Sequence, residues 1–418
     1  MRILIVSQYY WPEDFAAGVY IRELAETLAK KEHKVTVLTA FPHYPEGKIH
    51  TGYRNKLFQV QHKDGVRILR SFIYAIPRDK SLLLRSLPHL SFAFSALIAA
   101  IFVGKQDIAY IHMPVLPIGY VSLFISRLKR IPCVLGVKDL SAEALVQAGK
   151  LKRGGKFRLI EKCERYLYNA ADHAQVPGTL YKQRLMEWNM PESKITIIPD
   201  WADPYTIRPL PRENEFRKIH GLHDKFVVLY SGNMGYSSDL ETVIEAAREL
   251  KSYPRIHFVL IGDGVKRAGL EQKTDALGLT NVTFLSFQPR DVFPQVLAAA
   301  DVCLLTLNRQ FTNVAAQGKM YNIMAAGRPL LAVMSQNACG AELITTEQIG
   351  TVTVPGDSAA LARIISDWQI QPELLETLGC RARRVLEEHF TIEICVRKFE
   401  DMFNHIIGIK TKISNTQL

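Results

Sequence analysis

The 418-residue chain contains no HExxH motif, no zinc-ligand spacing, no P-loop and no G-x-S-x-G. Zinc hydrolysis, Walker-type phosphoryl transfer and serine hydrolysis therefore have no sequence support. Cysteine is sparse: Cys133, Cys163, Cys303, Cys339, Cys380 and Cys395 lie far apart, with no C-x-x-C pair. They read as reduced, mostly buried thiols of a cytosolic protein. No low-complexity tract interrupts the chain, and no aromatic–basic interleaving marks a nucleic-acid surface. The apolar run in MRILIVSQYYWPE is too short for a signal peptide and reads as a first strand. Residues 90–103 carry no charge, yet 14 residues fall short of the ~20 that span a bilayer. They read as a buried helix or as one lying in a membrane interface, because residues 51–105 hold nine basic but two acidic side chains. Acidic residues are scarce throughout the first half. Residues 1–200 hold 29 Lys and Arg against 17 Asp and Glu, whereas residues 201–418 hold 23 against 24. That asymmetry points the first half toward an anionic partner such as a membrane surface.

What is present is a repeated βα rhythm. Residues 227–230 form an apolar strand, Ser231-Gly232-Asn233-Met234-Gly235 a glycine turn, and residues 240–250 a helix with Leu240, Val243, Ile244 and Ala247 on one face. Strand, glycine loop and helix together aim backbone N–H groups at a bound phosphate. The unit opens in mid-chain, so a separate domain precedes it. Further strands are predicted at 257–261, 282–284, 302–307, 330–333 and 351–354, with a helix from Lys319 closed by Gly327-Arg328-Pro329 and a largely helical stretch at 372–407. Gly262-Asp263-Gly264 forms a second tight turn. Lys319, on a first helical turn, suits a diphosphate, with a solvated surface lysine as the alternative.

The first half reads as strand 2–7, a long loop 8–19, helix 21–31 and strand 33–39, a Rossmann-type unit without G-x-G-x-x-G. Strands are predicted at 66–70, 72–75, 107–112, 132–137, 174–176 and 195–199. Helices are predicted at 119–128 and 157–170, and the linker at 199–212. His43 reads as a surface or loop histidine rather than a catalytic group. Lys138, Asp139 and Glu143 follow a strand end, where open parallel sheets bind ligands; a helix cap by Asp139 or Ser141 is the equal alternative. The expected class is α/β: two Rossmann-like halves whose parallel sheets face a central cleft, suited to moving a group from an activated nucleotide to an acceptor.

The sequence resembles the bacterial family 4 glycosyltransferases of GT-B fold, especially those of colanic-acid, O-antigen and exopolysaccharide assembly. The resemblance spans nearly the whole chain. It rests on ILIVSQYYWPE, AGVYIRELAETLAKKEHKVTVLTAFPHYPEGK, LPHLSFAFSAL, KDLSAEALVQAGKLK, IIPDWADPYTIRPLP, LYSGNMGYSSDLETVIEAA, VLIGDG and KMYNIMAAGRPLLAV. It implies an acceptor domain at 1–202, a nucleotide-sugar domain at 203–390, and a C-terminal helix at 391–418 returning to the first domain. It implies a retaining transferase that uses a UDP-sugar, or a GDP-sugar, and a lipid-linked glycan acceptor. Such an enzyme works in the cytoplasm against the anionic inner membrane, without metal or other cofactor. Lys138 and Asp139 would sit by the reacting sugar. Gly232, Asn233, Gly262, Gly264, Gln288, Lys319 and Asn322 would bind the donor, and Glu13, Gly18 and His112 would lie on the acceptor side. The chain departs from the family pattern in places. The E-x7-E pair reads Val314 and Asn322, and Asn233 with Ser237-Ser238 stands where Arg and Lys are frequent. Lys138 replaces a histidine, and Gln317-Gly318 replaces Pro-Ser. The alternatives are an inactive GT-B binding protein and a nucleotide-sugar epimerase.

Overall fold

A computed structural model describes residues 1–14, 16–77, 82–112, 115–138, 140–147, 151–311 and 318–416. Val314, Gln317 and Asp139 lie outside the described residues. The chain divides into two compact units, one holding residues 1–146, 151–199 and 392–418, the other mainly residues 200–391.

The first unit contains β1 (Arg2–Val6), α1 (Ala16–Lys30), β2 (Lys34–Ala40), β3 (Phe58–Lys63), β4 (Val66–Ser71), α2 (Leu82–Ala99), β5 (Ile108–His112), α3 (Leu116–Leu128), β6 (Cys133–Gly136), α4 (Ser141–Gln147), α5 (Gly155–Ala170), β7 (His173–Val176), α6 (Thr179–Glu187) and β8 (Ile195–Ile197). Its eight strands run in the order β3-β4-β2-β1-β5-β6-β7-β8, parallel except for β3. Strands β1, β2 and β5 are almost wholly buried, as a sheet covered on both faces requires. The order reverses between β1 and β5, so right-handed crossovers place α1 and α3 on opposite faces.

The second unit contains α7 (Glu215–Ile219), β9 (Phe226–Ser231), α8 (Leu240–Glu249), β10 (Ile256–Ile261), α9 (Arg267–Ala276), β11 (Val282–Leu285), α10 (Phe293–Ala298), β12 (Val302–Thr306), α11 (Lys319–Ala325), β13 (Leu330–Val333), α12 (Ala341–Thr346), β14 (Gly350–Thr353), α13 (Ser358–Gln369) and α14 (Pro372–His389). Its six strands are all parallel, in the order β11-β10-β9-β12-β13-β14. On α8 the predicted stripe Leu240, Val243, Ile244 and Ala247 is buried. Away from the strands' carboxyl ends, the wholly buried Arg217 donates to Asp301 (2.5 Å), and Asp301 also accepts the Val227 N–H at 2.7 Å. That buried ion pair fastens α7 to the sheet's base. The last helix, α15 (Ile392–Thr416), belongs to the first unit. It sets Phe399 and Phe403 against Tyr110, at 5.3 and 6.2 Å between ring centroids, and pairs Glu400 with Lys31 and His33.

The structure amends the sequence expectations at four places. Residues 72–75 are not a strand, because the Asn55 side chain takes both the Ile73 N–H and C=O that a neighbouring strand would use. The edge strand β3 (FQVQHK) escaped notice because its polar, half-exposed face masks the alternation. Helix α1 begins at Ala16 instead of residue 21, which puts Gly18 inside the helix. The stretch 372–407 is largely helical as expected, in two helices parted at Phe390 and Thr391, where Ala202 donates its N–H to the Phe390 carbonyl at 3.2 Å.

Candidate functional site

Both units place candidate residues beyond the carboxyl ends of their strands. In the second unit, β9 and β10 end side by side, and their loops interlock through glycines. Gly262 has φ +147°, and a Cβ there would lie 1.9 Å from the Gly232 carbonyl oxygen. Gly264, with φ +153°, would place a Cβ 2.5 Å from the Met234 oxygen and 2.8 Å from Asn233 Oδ1. Gly232, at φ +155°, would carry its Cβ 2.8 Å from Lys319 Nζ. All three positions need glycine for conformation, and Gly262 and Gly264 need it also for space, since their neighbours are backbone oxygens. Backbone bonds lock the loops: Gly232 N–H to Ile261 O (2.9 Å), Met234 N–H to Asp263 O (2.8 Å) and Gly262 N–H to Leu285 O (2.9 Å).

Lys319 begins α11 and reaches over this ledge. Its ammonium stands 4.2 Å from the centroid of the Tyr230 ring, a cation–π contact that holds the charge in place. The Tyr230 hydroxyl donates to the Asn233 carbonyl at 2.8 Å. Gly232, Asn233, Gly262, Gly264 and Lys319 are thus brought together. Gln288 lies on the next loop, its Nε2 donating to the Ser286 carbonyl at 2.9 Å. Asn322 sits one turn along α11 from Lys319, half-buried. A fixed cation over a ledge stripped of side chains suits a bulky anion such as a diphosphate. Sequence reasoning missed Tyr230, which reads as one more core residue of a buried strand. It also missed Asp200, whose Oδ2 lies 3.0 Å from where a Gly318 side chain would begin.

In the first unit, His112 closes β5 and is buried, and neither imidazole nitrogen has a hydrogen-bond partner among the described residues. Burial, aided by the Lys138 charge, holds its pKa well below the ordinary histidine value. The Tyr20 ring stacks on it at 5.2 Å and 18°, and Lys138 Nζ lies 3.9 Å over the same Tyr20 ring. His112 and Lys138 are thereby joined through an aromatic that the sequence offered only as one more residue of a helix.

Two acceptor-side expectations change. Glu13 is turned inward: its carboxylate accepts the N–H groups of His43 (2.9 Å), Tyr44 (2.8 Å) and Tyr10 (3.3 Å). Burial raises its pKa despite these bonds. It braces two loops and does not face outward. Gly18 packs against it, since a Cβ there would meet the Glu13 carbonyl at 2.3 Å. His43, expected on a surface or loop, is buried within its loop. It stacks on Tyr9 and contacts Gln8, which in turn meets His89 at 2.5 Å. Burial pushes the His43 pKa down to about 4. Among the described residues no group of three His, Cys, Asp or Glu is placed to hold a metal ion.

Comparison with known families matches residues 15–201 to the "Glycosyl transferase 4-like domain" and residues 212–385 to "Glycosyl transferases group 1". WcaI of Escherichia coli (strain K12), named as a colanic acid biosynthesis glycosyl transferase, is 28% identical over 94% of this chain and 94% of its own length. Among solved structures, the fold matches sucrose-phosphate synthase from Thermosynechococcus elongatus with a TM-score of 0.78, at 19% identity over 98% of this chain and 99% of that one. It also matches Anabaena HepE in complex with UDP and glucose, with a TM-score of 0.72 at 18% identity over 97% and 99% of the two chains.

Proposed function

The chain belongs to the family 4 glycosyltransferases of GT-B fold, and from that premise we propose that it moves a sugar from a UDP-sugar to a lipid-linked glycan acceptor, with retention of configuration, in surface-polysaccharide synthesis. The observation that carries the reading is the Lys319 ammonium held over Tyr230 beside three bare glycines. Glycosyl transfer leaves a nucleoside diphosphate behind. A cation already fixed where that charge grows lowers the barrier without reorganisation. Asn233, Gln288 and Asn322 complete the donor side of the proposal, with Gln288 near the base and Asn322 near the sugar.

On the acceptor side we assign Lys138, His112 and Asp139 to the surroundings of the reacting sugar. His112, neutral and buried, has hydrogen-bonding capacity left over for a sugar hydroxyl. The UDP preference is supported by the UDP bound in the solved HepE structure, and the polysaccharide role by the name of WcaI. The acceptor's lipid linkage and the enzyme's place at the cytoplasmic face of the membrane are part of the same proposal.

The test is donor turnover. The protein incubated with UDP-sugars without acceptor should release UDP slowly, and Lys319→Ala should release far less. Metal independence belongs to the reading, so turnover should persist in a chelator. Loss of turnover in chelator, restored by a divalent cation, would overturn that part. Absence of UDP release from every UDP-sugar, with release from GDP-sugars, would reassign the donor.

A further inference from the structure

Helices α2, α3 and α5 pack side by side, α2 on α3 and α3 on α5, away from α1 and α15. What they turn outward is unlike an ordinary protein surface. Along α2 and the 3-10 turn that follows it, Leu90, Phe94 and Ile101 point to solvent, Phe94 at 68% and Ile101 at 75% exposure. Along α3, Phe124 and Leu128 do the same, one helical turn apart, at 56% and 71%. So many large apolar side chains turned to solvent on two packed helices are unusual for a free surface.

The charge around it is mainly basic; on α5, Glu161 is paired with Arg184. Between residues 80 and 138 the chain has seven Lys and Arg but a single acid, Asp107, which is occupied by Arg2. Arg127 and Arg130 are exposed at the end of α3. On α5, Arg158, Lys162 and Arg165 recur at helical spacing on the exposed face, with no carboxylate partner among the described residues. Beside them a groove of about 650 Å³ runs between α5 and the end of α6, lined also by Glu161, Tyr166 and Trp188.

Residues 86–103 have a mean hydropathy of 1.8, enough by composition for a spanning helix. The packing forbids that role. Phe92, Ala93 and Ala96 are buried, and Ser95 bonds Ser71 and the Phe72 carbonyl, so withdrawing α2 would strip β4. Arg67 holds the carbonyls of Phe102 and Val103. The segment is fixed flat, apolar side out, which is the geometry of an interfacial helix.

We infer that the α2–α3–α5 face docks the protein on an anionic lipid bilayer, with the α2 and α3 side chains entering the interface and the α5 cations meeting headgroup phosphates. The inference gives the proposed lipid-linked acceptor a place of delivery and rests on that reading only to this extent.

The test is flotation of the full chain with vesicles of phosphatidylcholine, alone and with a third of phosphatidylglycerol added. Three proteins are compared: wild type, Phe94→Glu/Ile101→Glu and Lys162→Glu/Arg165→Glu. All four sites are exposed, so melting temperatures should stay close to wild type. Wild type should float with the anionic vesicles at low salt. The apolar-to-acid variant should lose binding at least tenfold. The charge-reversal variant should lose the preference for phosphatidylglycerol, and high salt should mimic it. Equal flotation of all three proteins would overturn the assignment. So would a wild type that ignores vesicles but dimerises, with Phe94→Glu/Ile101→Glu monomeric, since the face would then join two copies. Nucleotide binding measured on the same samples separates the two claims. Intact UDP binding without flotation sinks the docking face alone; flotation without nucleotide binding sinks the donor reading alone.

Discussion

Lys319 and Tyr230 act as a pair. The ring fixes an ammonium that would otherwise sweep through solvent, so less freedom is lost when an anion arrives. Removing the charge in Lys319→Ala should cost about 1.5–3 kcal/mol of diphosphate binding, roughly 10- to 150-fold in Kd by calorimetry. An unchanged Kd would remove the lysine from the site. His43 makes a prediction about pH. Its folded pKa is about 4, against about 6.5 unfolded. Between those values the unfolded chain binds the extra proton. The stability that His43 supports is therefore complete above pH 6.5 and falls as the pH drops toward 4, by at most about 1.4 kcal/mol per pH unit. The neighbouring Glu13, with its raised pKa, works in the opposite sense. The clean readout is therefore the difference between wild type and His43→Gln, whose urea midpoints should converge as the pH falls from 6.5 to 4. Parallel curves would mean that the buried imidazole does not govern this limb.

At the scale of elements, the two glycine loops are one device, because each occupies the space a side chain on the other would need. Gly262→Ala must take a backbone conformation costing about 1–3 kcal/mol and must also displace the Gly232 carbonyl. The melting temperature should fall by roughly 4 °C or more; a fall below about 1 °C would mean the loops are not interlocked. The periodicity of these elements was plain in the sequence. The inner strands β9, β10, β12 and β13 are read from apolar runs bounded by turns, since a parallel sheet buried on both faces leaves little polar alternation to confuse them, while the half-buried edge strands β11 and β14 carry threonines. Helix α8 and the Lys319 helix follow from their stripes. What was illegible depends on side chains that replace backbone partners. Asn55 ends β4 by imitating a strand, and the Glu13 carboxylate, outwardly a loop acid, is consumed by three N–H groups. Tyr230 and Tyr20 looked like packing residues because an aromatic's use as a platform for a cation leaves no pattern in the chain. Helix α15 adds a test of long-range packing. Phe399→Ala should destabilise the first unit by about 3–5 kcal/mol in urea unfolding, since the ring is wholly buried against Tyr110. A loss below about 1 kcal/mol would show that the helix is loosely held.

For the whole molecule, the division of charge follows the division of labour proposed here. The basic excess lies entirely within residues 1–200, where the α2–α3–α5 face is found, while the remainder is nearly neutral apart from the local cation at Lys319. A uniformly basic chain would point to non-specific polyanion binding; a basic half beside a neutral half points to one anionic surface and one defined ligand. The Rossmann-like fold of both halves was legible because it is written in repeated βα units. Side chains that would select a sugar or an acceptor carry no periodic signature, so neither was legible in the chain. The glycine ledge and Lys319 are proposed to bind a nucleoside diphosphate. This is tested most directly by thermal shift against UDP, GDP, ADP, CMP and their sugar conjugates, with wild type and Lys319→Ala side by side. The melting temperature should rise with the concentration of UDP and UDP-sugars, and the rise should be much reduced in Lys319→Ala. No rise with any nucleotide in well-folded wild type, or an equal rise in both proteins, would contradict it.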